Sequence, residues 1–211
     1  MFTGIIQEIG KISTVEEQNG IKTFSIKARK TALLLKIGDS VSIDGACLTV
    51  VEKKDDLFKV EAIPETLKLT ICSEYVEGTA ANLEPAMQLS DRLHGHLVSG
   101  HIDFIGTVNN KKTEGDSIIL TIDYPENMSK FFSLKGSITI NGVSLTISKI
   151  TAHSIEVSLI PHTLKTTNLQ NLEKNSKVNI EIDLIARYLD KLLGDKEDES
   201  NFFFLKERGF I

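Results

Sequence analysis

The chain contains its own sequence twice. SVSIDGACLTV around Asp44 returns as SITINGVSLTI around Asn141, an offset of 97 residues. The same offset carries VEAIPETLKLT from Val60 onto VSLIPHTLKTT from Val157, and ANLEPA onto VNIEID, Asn82 onto Asn179. With a slip of one residue, FTGIIQEIG from Phe2 returns as VSGHIDFIG from Val98. Self-similarity at a fixed period means two copies of one folding unit, here filling residues 1 to about 190. Two such units offer two similar pockets, and so room for two similar ligands.

Within each copy the apolar residues alternate over short runs. In DSVSIDGACLTVVEKKDDLFKVEAI, Val41 and Ile43 face one way and Ser40 and Ser42 the other, the period of half-buried strands. DG at Asp44 and NG at Asn141 are tight-turn dipeptides, and KKDD before LFKVEAI marks a hairpin tip. About six short antiparallel strands fit in each copy, and a sheet of that size hides its edges best by closing on itself. The expectation is an all-β protein of two tandem six-stranded antiparallel barrels. TALLLKIGD and PENMSKFFSLKG occupy matching places before the two hairpins and predict single helical turns or loops that cap the barrels. After Asp183 the period changes, because LIARYLDKLLG spaces Leu184, Tyr188, Leu189, Leu192 and Leu193 as one face of a helix with Gly194 as its stop. The resulting division is 1–96 and 97–188 for the barrels and 189–211 for a C-terminal helical segment that serves oligomerisation. NFFFLKERGFI carries three adjacent phenylalanines, which either associate with another copy or dock on the second barrel.

Charge narrows the class of function. A net charge of −5 and a pI near 5.6, with Lys and Arg scattered among acids, leave no footprint for nucleic acid or an anionic membrane. The N-terminus has no basic stretch before an apolar run, and no segment approaches the roughly 18 apolar residues of a membrane span, so a soluble, cytoplasmic protein is expected. Cys47 and Cys72 lack metal-ligand spacing and, in a reducing compartment, are expected as free thiols. The chain has no GxGxxG after a strand, no Walker loop and no GxSxG elbow, which argues against dinucleotide oxidoreductases, phosphoryl transferases and hydrolases.

Residues kept in both copies serve the fold, whereas differences carry separate duties. Cys47 faces Ser144, Ile5 faces His101, Ala86 faces Asp183 and Glu65 faces His162. The first pair would equally suit two small side chains packed beneath a hairpin. His94, His96 and His101 lie together in RLHGHLVSGH, but no Cys or carboxylate completes a zinc ligand set nearby, so no metal is expected. His94 reads as an exposed linker residue, and His96 and His101 as facing a pocket.

Seven motifs in order, MFTGII, GACLTV, IPETL, HGHLVSGHID, KGSITINGVSLTI, LIPHT and VNIEID, together resemble riboflavin synthase of the alpha-subunit type from Met1 to about Tyr188. The resemblance implies two Greek-key barrels, a C-terminal helix that drives homotrimer formation, and association with lumazine synthase. It also implies a reaction in which two molecules of 6,7-dimethyl-8-ribityllumazine meet in one site and dismutate to riboflavin and 5-amino-6-ribitylaminouracil, without metal or cofactor. Carried over by position, Phe2 and Thr3 stand at the N-terminal lip, and Gly4, Ile5 and Ile6 line the first pocket with Cys47, Leu48 and Thr49. Gly100, His101 and Ile102 stand beside the second pocket with Ser144, Leu145 and Thr146. Two loops, one of Glu61, Ala62, Ile63, Pro64, Glu65 and Thr66, the other of Ser158, Leu159, Ile160, Pro161, His162 and Thr163, hold ring edges and ribityl hydroxyls. Lys135 reaches in from a neighbouring subunit. For catalysis the resemblance implies His101 as proton shuttle, Ser144 and Cys47 as polar groups at the reacting carbon, and Asp183 as an orienting or proton-accepting group, with Ser40 and His96 behind them.

The pattern departs from the commoner form where HGH replaces GGH, where ANLEPA replaces VNLERA, and where Asn141 replaces Asp. A competing reading is a relative that binds lumazine or flavin without converting it, like the lumazine proteins of luminous bacteria. Those keep the barrels and lose reactive residues, so retention of Cys47, His101, Ser144 and Asp183 favours the enzyme. A flavin-reductase barrel is disfavoured because the chain has no nicotinamide domain.

Overall fold

In a computed structural model, which describes residues 1–194 together with Lys206 and Arg208, turns divide the chain into strands as the repeat requires. The first copy comprises β1 (Glu8–Gln18), β2 (Ile21–Lys27), β3 (Ser40–Ile43), β4 (Ala46–Lys54), β5 (Leu57–Ala62) and β6 (Ala80–Pro85). The second comprises β7 (Phe104–Glu114), β8 (Ser117–Asp123), β9 (Ser137–Ile140), β10 (Val143–Ile150), β11 (Ser154–Leu159) and β12 (Lys177–Ile182). Asp44 and Gly45 both take positive φ, 46° and 86°, as do Asn141 and Gly142 at 45° and 77°, so each dipeptide closes a two-residue hairpin whose twist matches its strands. Both sheets close into barrels with the same circular order, β1-β2-β5-β4-β3-β6 in the first copy and β7-β8-β11-β10-β9-β12 in the second. Closure needs curvature. β-Bulges supply it at equivalent places, between Ile12 and Thr14 and between Val50 and Glu52 in one barrel, between Val108 and Asn110 and between Ile147 and Lys149 in the other.

Each barrel fills its own core, around Phe24, Phe58 and Leu83 in the first and Leu120, Ile122 and Ile140 in the second. The capping segments are α1 (Thr31–Leu34) and a 3₁₀ turn at Glu126–Phe131, as expected. Where loops were expected after β5 and β11, the chain instead forms α2 (Pro64–Leu69) and α3 (Pro161–Thr166). Pro at the first helical turn explains both, since its missing N–H is an unpaired donor there in any case.

The two barrels meet through their hairpins. A Cβ on Gly45 would lie 2.8 Å from Gly142 N, and one on Gly142 would lie 2.7 Å from Gly45 N, so the turns stand back to back. Ser42, expected on the polar face of its strand, is buried because this hairpin lies in the seam. Asn82 Nδ2 donates to Asn141 O at 2.9 Å and Asn179 Nδ2 to Asp44 O at 2.8 Å, a reciprocal pair made by equivalent residues. Asp44 itself is sealed in the seam, accepting from Asn82 N, Asn168 Nδ2 and the Tyr75 hydroxyl at 2.7–2.8 Å. Burial pushes its carboxyl up to about 6 despite those bonds.

α4 (Leu184–Gly194) leaves the second barrel at Asp183. Arg187 binds both oxygens of Asp103 at 2.9 Å, and Lys130 pairs with Asp190 at 2.7 Å, fixing the helix to the barrel by its polar side. Ile185, Tyr188, Leu189 and Leu192 remain 50–62% exposed. The NFFF stretch lies outside the described residues. Among the described residues no helix is long and apolar enough to cross a membrane.

Candidate functional site

Antiparallel register brings the repeated motifs together at one end of each barrel. In the first, the β4–β5 register ends with Val50 opposite Val60, next in sequence to Thr49 and Glu61, and on the other side of β4 Ser40 pairs with Thr49 and Val41 with Leu48. The second repeats this, its β10–β11 register ending with Ile147 opposite Val157, next in sequence to Thr146 and Ser158, and Thr146 pairs with Ser137 on the other side. The two clusters therefore hold the predicted ligand-facing segments of β4, β5 and α2 and of β10, β11 and α3.

The N-terminal segments cross over. Gly4 accepts a hydrogen bond from Ser144 N at 2.8 Å, and Gly100 accepts one from Cys47 N at 2.9 Å. At both glycines φ is positive, 76° and 83°, and a Cβ would fall 2.6 Å from Ser144 Cβ or 2.5 Å from Cys47 Cβ, so no larger residue fits. Ile6 correspondingly packs on the second core and Ile102 on the first. This corrects the expected grouping, in which Gly4–Ile6 lined the first pocket and Gly100–Ile102 the second. The segments exchange because Phe2 pairs with Val98 across the seam, Phe2 N donating to Val98 O at 2.7 Å and Val98 N to Phe2 O at 3.1 Å.

Polar chemistry gathers around Ser144. His96 Nδ1 lies 2.7 Å from Ser144 Oγ, and His96 Nε2 lies 3.1 Å from Thr139 Oγ1, so the ring is clamped between two hydroxyls. Burial lowers the His96 pKa, and the negative charge of Asp183 partly restores it. The net lowering favours the neutral ring, whose unprotonated nitrogen, held by a hydroxyl, can accept a proton. Asp183 also caps α4, its Oδ1 accepting from Ile185 N at 2.9 Å. Cys47, half-buried, meets the Gly100 backbone instead, and His101 beside it is exposed. His101, the expected proton shuttle, is therefore not brought to Ser144, whereas His96 is.

Several predicted residues prove structural in their side chains. Phe2, Ala62 and Leu159 are fully buried and Leu48 nearly so, leaving only their backbones for a ligand. Glu61, Ile63, Pro64 and Glu65, and on the second barrel Ser158, Ile160, Pro161 and His162, stand exposed around the cluster ends, with Thr66 and Thr163 partly covered. Leu145 packs on the second core and Thr146 is exposed. Lys135 is exposed at φ 65°, where its counterpart Gly38 has φ 92°. Among the described non-glycine residues at positive φ it alone is neither Asn nor Asp, a strained backbone placement. An open cavity of about 930 Å³ beside the first barrel is lined by Thr3, Ile5, Ser40, Glu84 and His94 among others, but not by Cys47, His101 or Ser144. Among the described residues no group of three or more His, Cys, Asp or Glu side chains is placed to hold a metal ion.

Thr139, Glu84 and Glu181 were missed in the sequence. Glu84 and Glu181 did recur in ANLEPA and VNIEID, as buried carboxylates within apolar strands. That recurrence was the available signal.

The lumazine binding domain family matches the chain twice, over residues 3–86 and 99–183, coinciding with the two barrels. Riboflavin synthase of Photobacterium leiognathi is 40% identical over 217 residues and that of Bacillus subtilis 36% over 215, each covering all of both chains. The chain belongs to the riboflavin synthase family. Among solved structures, LumP complexed with riboflavin superposes with a TM-score of 0.81 at 28% identity, covering 86% of this chain and 99% of that one. LumP complexed with 6,7-dimethyl-8-(1'-D-ribityl) lumazine gives 0.78 at the same identity, covering 86% and 98%.

Proposed function

We propose that the chain catalyses the dismutation of two molecules of 6,7-dimethyl-8-ribityllumazine, one surrendering a four-carbon unit to become 5-amino-6-ribitylaminouracil and the other accepting it to become riboflavin. The two products together contain the atoms of the two substrates, so the reaction needs no oxidant, reductant or cofactor. The observation that carries the reading is that the two clusters match in fold and differ in chemistry. Cys47 and His101 mark one; Ser144, His96, Thr139 and Asp183 mark the other. Two identical molecules with different fates need matching pockets with unlike polar groups.

The 7-methyl protons of this lumazine are acidic for carbon, because the carbanion delocalises into the ring, and a neutral imidazole suffices to remove one. His96 is that base, with Ser144 and Thr139 holding the ring in line and Asp183 steadying the imidazolium. His101 serves as the proton carrier at the Cys47 cluster. Holding two rings in register supplies about 7–11 kcal/mol of the barrier through orientation. The exposed apolar face of α4 supports self-association, and the assembly in this reading is a homotrimer in the cytoplasm, in which the first barrel of one subunit faces the second of its neighbour and Lys135 reaches the neighbour's ligand. Association with lumazine synthase belongs to the same reading and is tested by co-elution.

The likeness to LumP favours a second reading, a lumazine or flavin binder without turnover. Incubating the purified chain with 6,7-dimethyl-8-ribityllumazine alone decides between them. Riboflavin and the pyrimidine in equal amounts are expected; tight binding with no product would replace the enzyme by the binder.

A further inference from the structure

Glu84 and Glu181 are buried carboxylates that neither cluster contains, and each grips the crossing segment of its own copy. Glu84, on β6, accepts from Thr3 N and Thr3 Oγ1 at 2.7 Å and from Gly4 N at 3.0 Å. Glu181, on β12, accepts from Ser99 N and Ser99 Oγ at 2.6 Å and from Gly100 N at 3.0 Å. Both are at most 4% exposed. A buried carboxylate is costly unless its oxygens are satisfied, and here the donors are the peptide N–H groups of one short segment.

The far side of each gripped glycine leads into the other barrel. Gly4 O accepts from Ser144 N, and Gly100 O accepts from Cys47 N. We infer that Glu84 is a positioning residue for Ser144 in the second barrel and Glu181 a positioning residue for Cys47 in the first, each acting across the seam through one glycine. Each barrel therefore holds the reactive group of its twin in place. The glycine makes the link stiff, since its missing side chain lets backbone touch backbone, and a carboxylate bound by three donors fixes the segment in both translation and rotation. Such crossing would make the two clusters depend on correct docking of both copies, so that neither pocket is complete in an isolated barrel. Ser144 and Cys47 matter here as cluster residues of the proposed enzyme, but the positions themselves can be probed without substrate.

Cys47 is half-buried whereas Cys72 is fully buried with its thiol pushed up to about 11, so alkylation of the native chain by iodoacetamide reports on Cys47. Glu181→Gln should change the Cys47 alkylation rate by about tenfold, the scale of one hydrogen bond to a charged group. Glu84→Gln, a lesion in the same barrel as Cys47, should leave that rate within about twofold while lowering kcat about tenfold through Ser144, with a smaller change in KM. An alkylation rate that responds to Glu84→Gln and ignores Glu181→Gln, or that responds to both alike, overturns the crossed assignment. Should either glutamine variant fail to fold, Thr3→Val removes the hydroxyl donor to Glu84, Ser99→Ala removes the one to Glu181 together with the acceptor of His101 N, and the pair must show the same contrast at Cys47. If the chain proves to bind lumazine without converting it, the alkylation contrast is still expected, so failure of the enzyme reading and failure of this one give different results.

Discussion

At the scale of single residues, His96 carries the sharpest consequence. It is the imidazole in contact with Ser144, and replacing it with Gln should lower turnover by about 10²–10⁴-fold while ligand binding persists. Because burial lowers its pKa, the base stays unprotonated until the pH falls below the ordinary histidine range, so the acid limb of kcat/KM should lie lower than for a free imidazole. Asp183→Asn removes the charge that opposes this and should move the limb lower still; an upward move in the pH–rate profile would refute the pairing. Cys47→Ser should retain measurable activity, since the second barrel already uses Ser144 at that place, and a steady-state assay checks it. Asp44 predicts a stability effect of definite sign. Its carboxyl titrates near 6 in the folded seam but near its usual lower value when unfolded, so the folded state binds the extra proton between those values. Stability from this group is greatest below about pH 4 and is lost as the pH rises through 6, a change on the order of 3 kcal/mol. Asp44→Asn copies the Asn141 of the second copy and should flatten that dependence in denaturant titrations at pH 4 and pH 8.

At the scale of elements, the back-to-back hairpins hold the molecule together. Gly142→Ala puts a Cβ 2.7 Å from Gly45 N at a φ of 77°, so clash and backbone strain add, and a loss of about 2–4 kcal/mol is expected. In a chain of this size that corresponds to a melting temperature lower by about 5–15 °C, measured by calorimetry. The strands, hairpins and α4 were legible in the sequence because alternation, DG and NG turns and helical spacing are local signals. α2 and α3 were not, since PETLKL and PHTLKT are too short for periodicity to show. Their one local sign was a proline with room for a helix after it.

For the whole molecule, α4 is the feature that a single chain leaves unfinished. It is tied down by Asp103–Arg187 and Lys130–Asp190, while Leu189 and Leu192 stay exposed on the opposite side. The double variant Leu189→Glu, Leu192→Glu should therefore fold, sediment as a monomer and lose activity if the reacting ligands meet between subunits. A folded, fully active monomer would refute an inter-subunit site. The repeat, the barrel architecture and the motifs that group the chain with riboflavin synthases were all readable from the residues alone, because each is written in spacing along one segment or in its recurrence 97 residues later. Folding decided the rest: that Gly4 serves Ser144 and Gly100 serves Cys47, that His96 rather than His101 touches the serine, and that Phe2 is core. Those facts depend on which segment crosses the seam, and a crossing is made by contacts between residues 48 to 140 positions apart, about which neither strand alternation nor turn chemistry carries information.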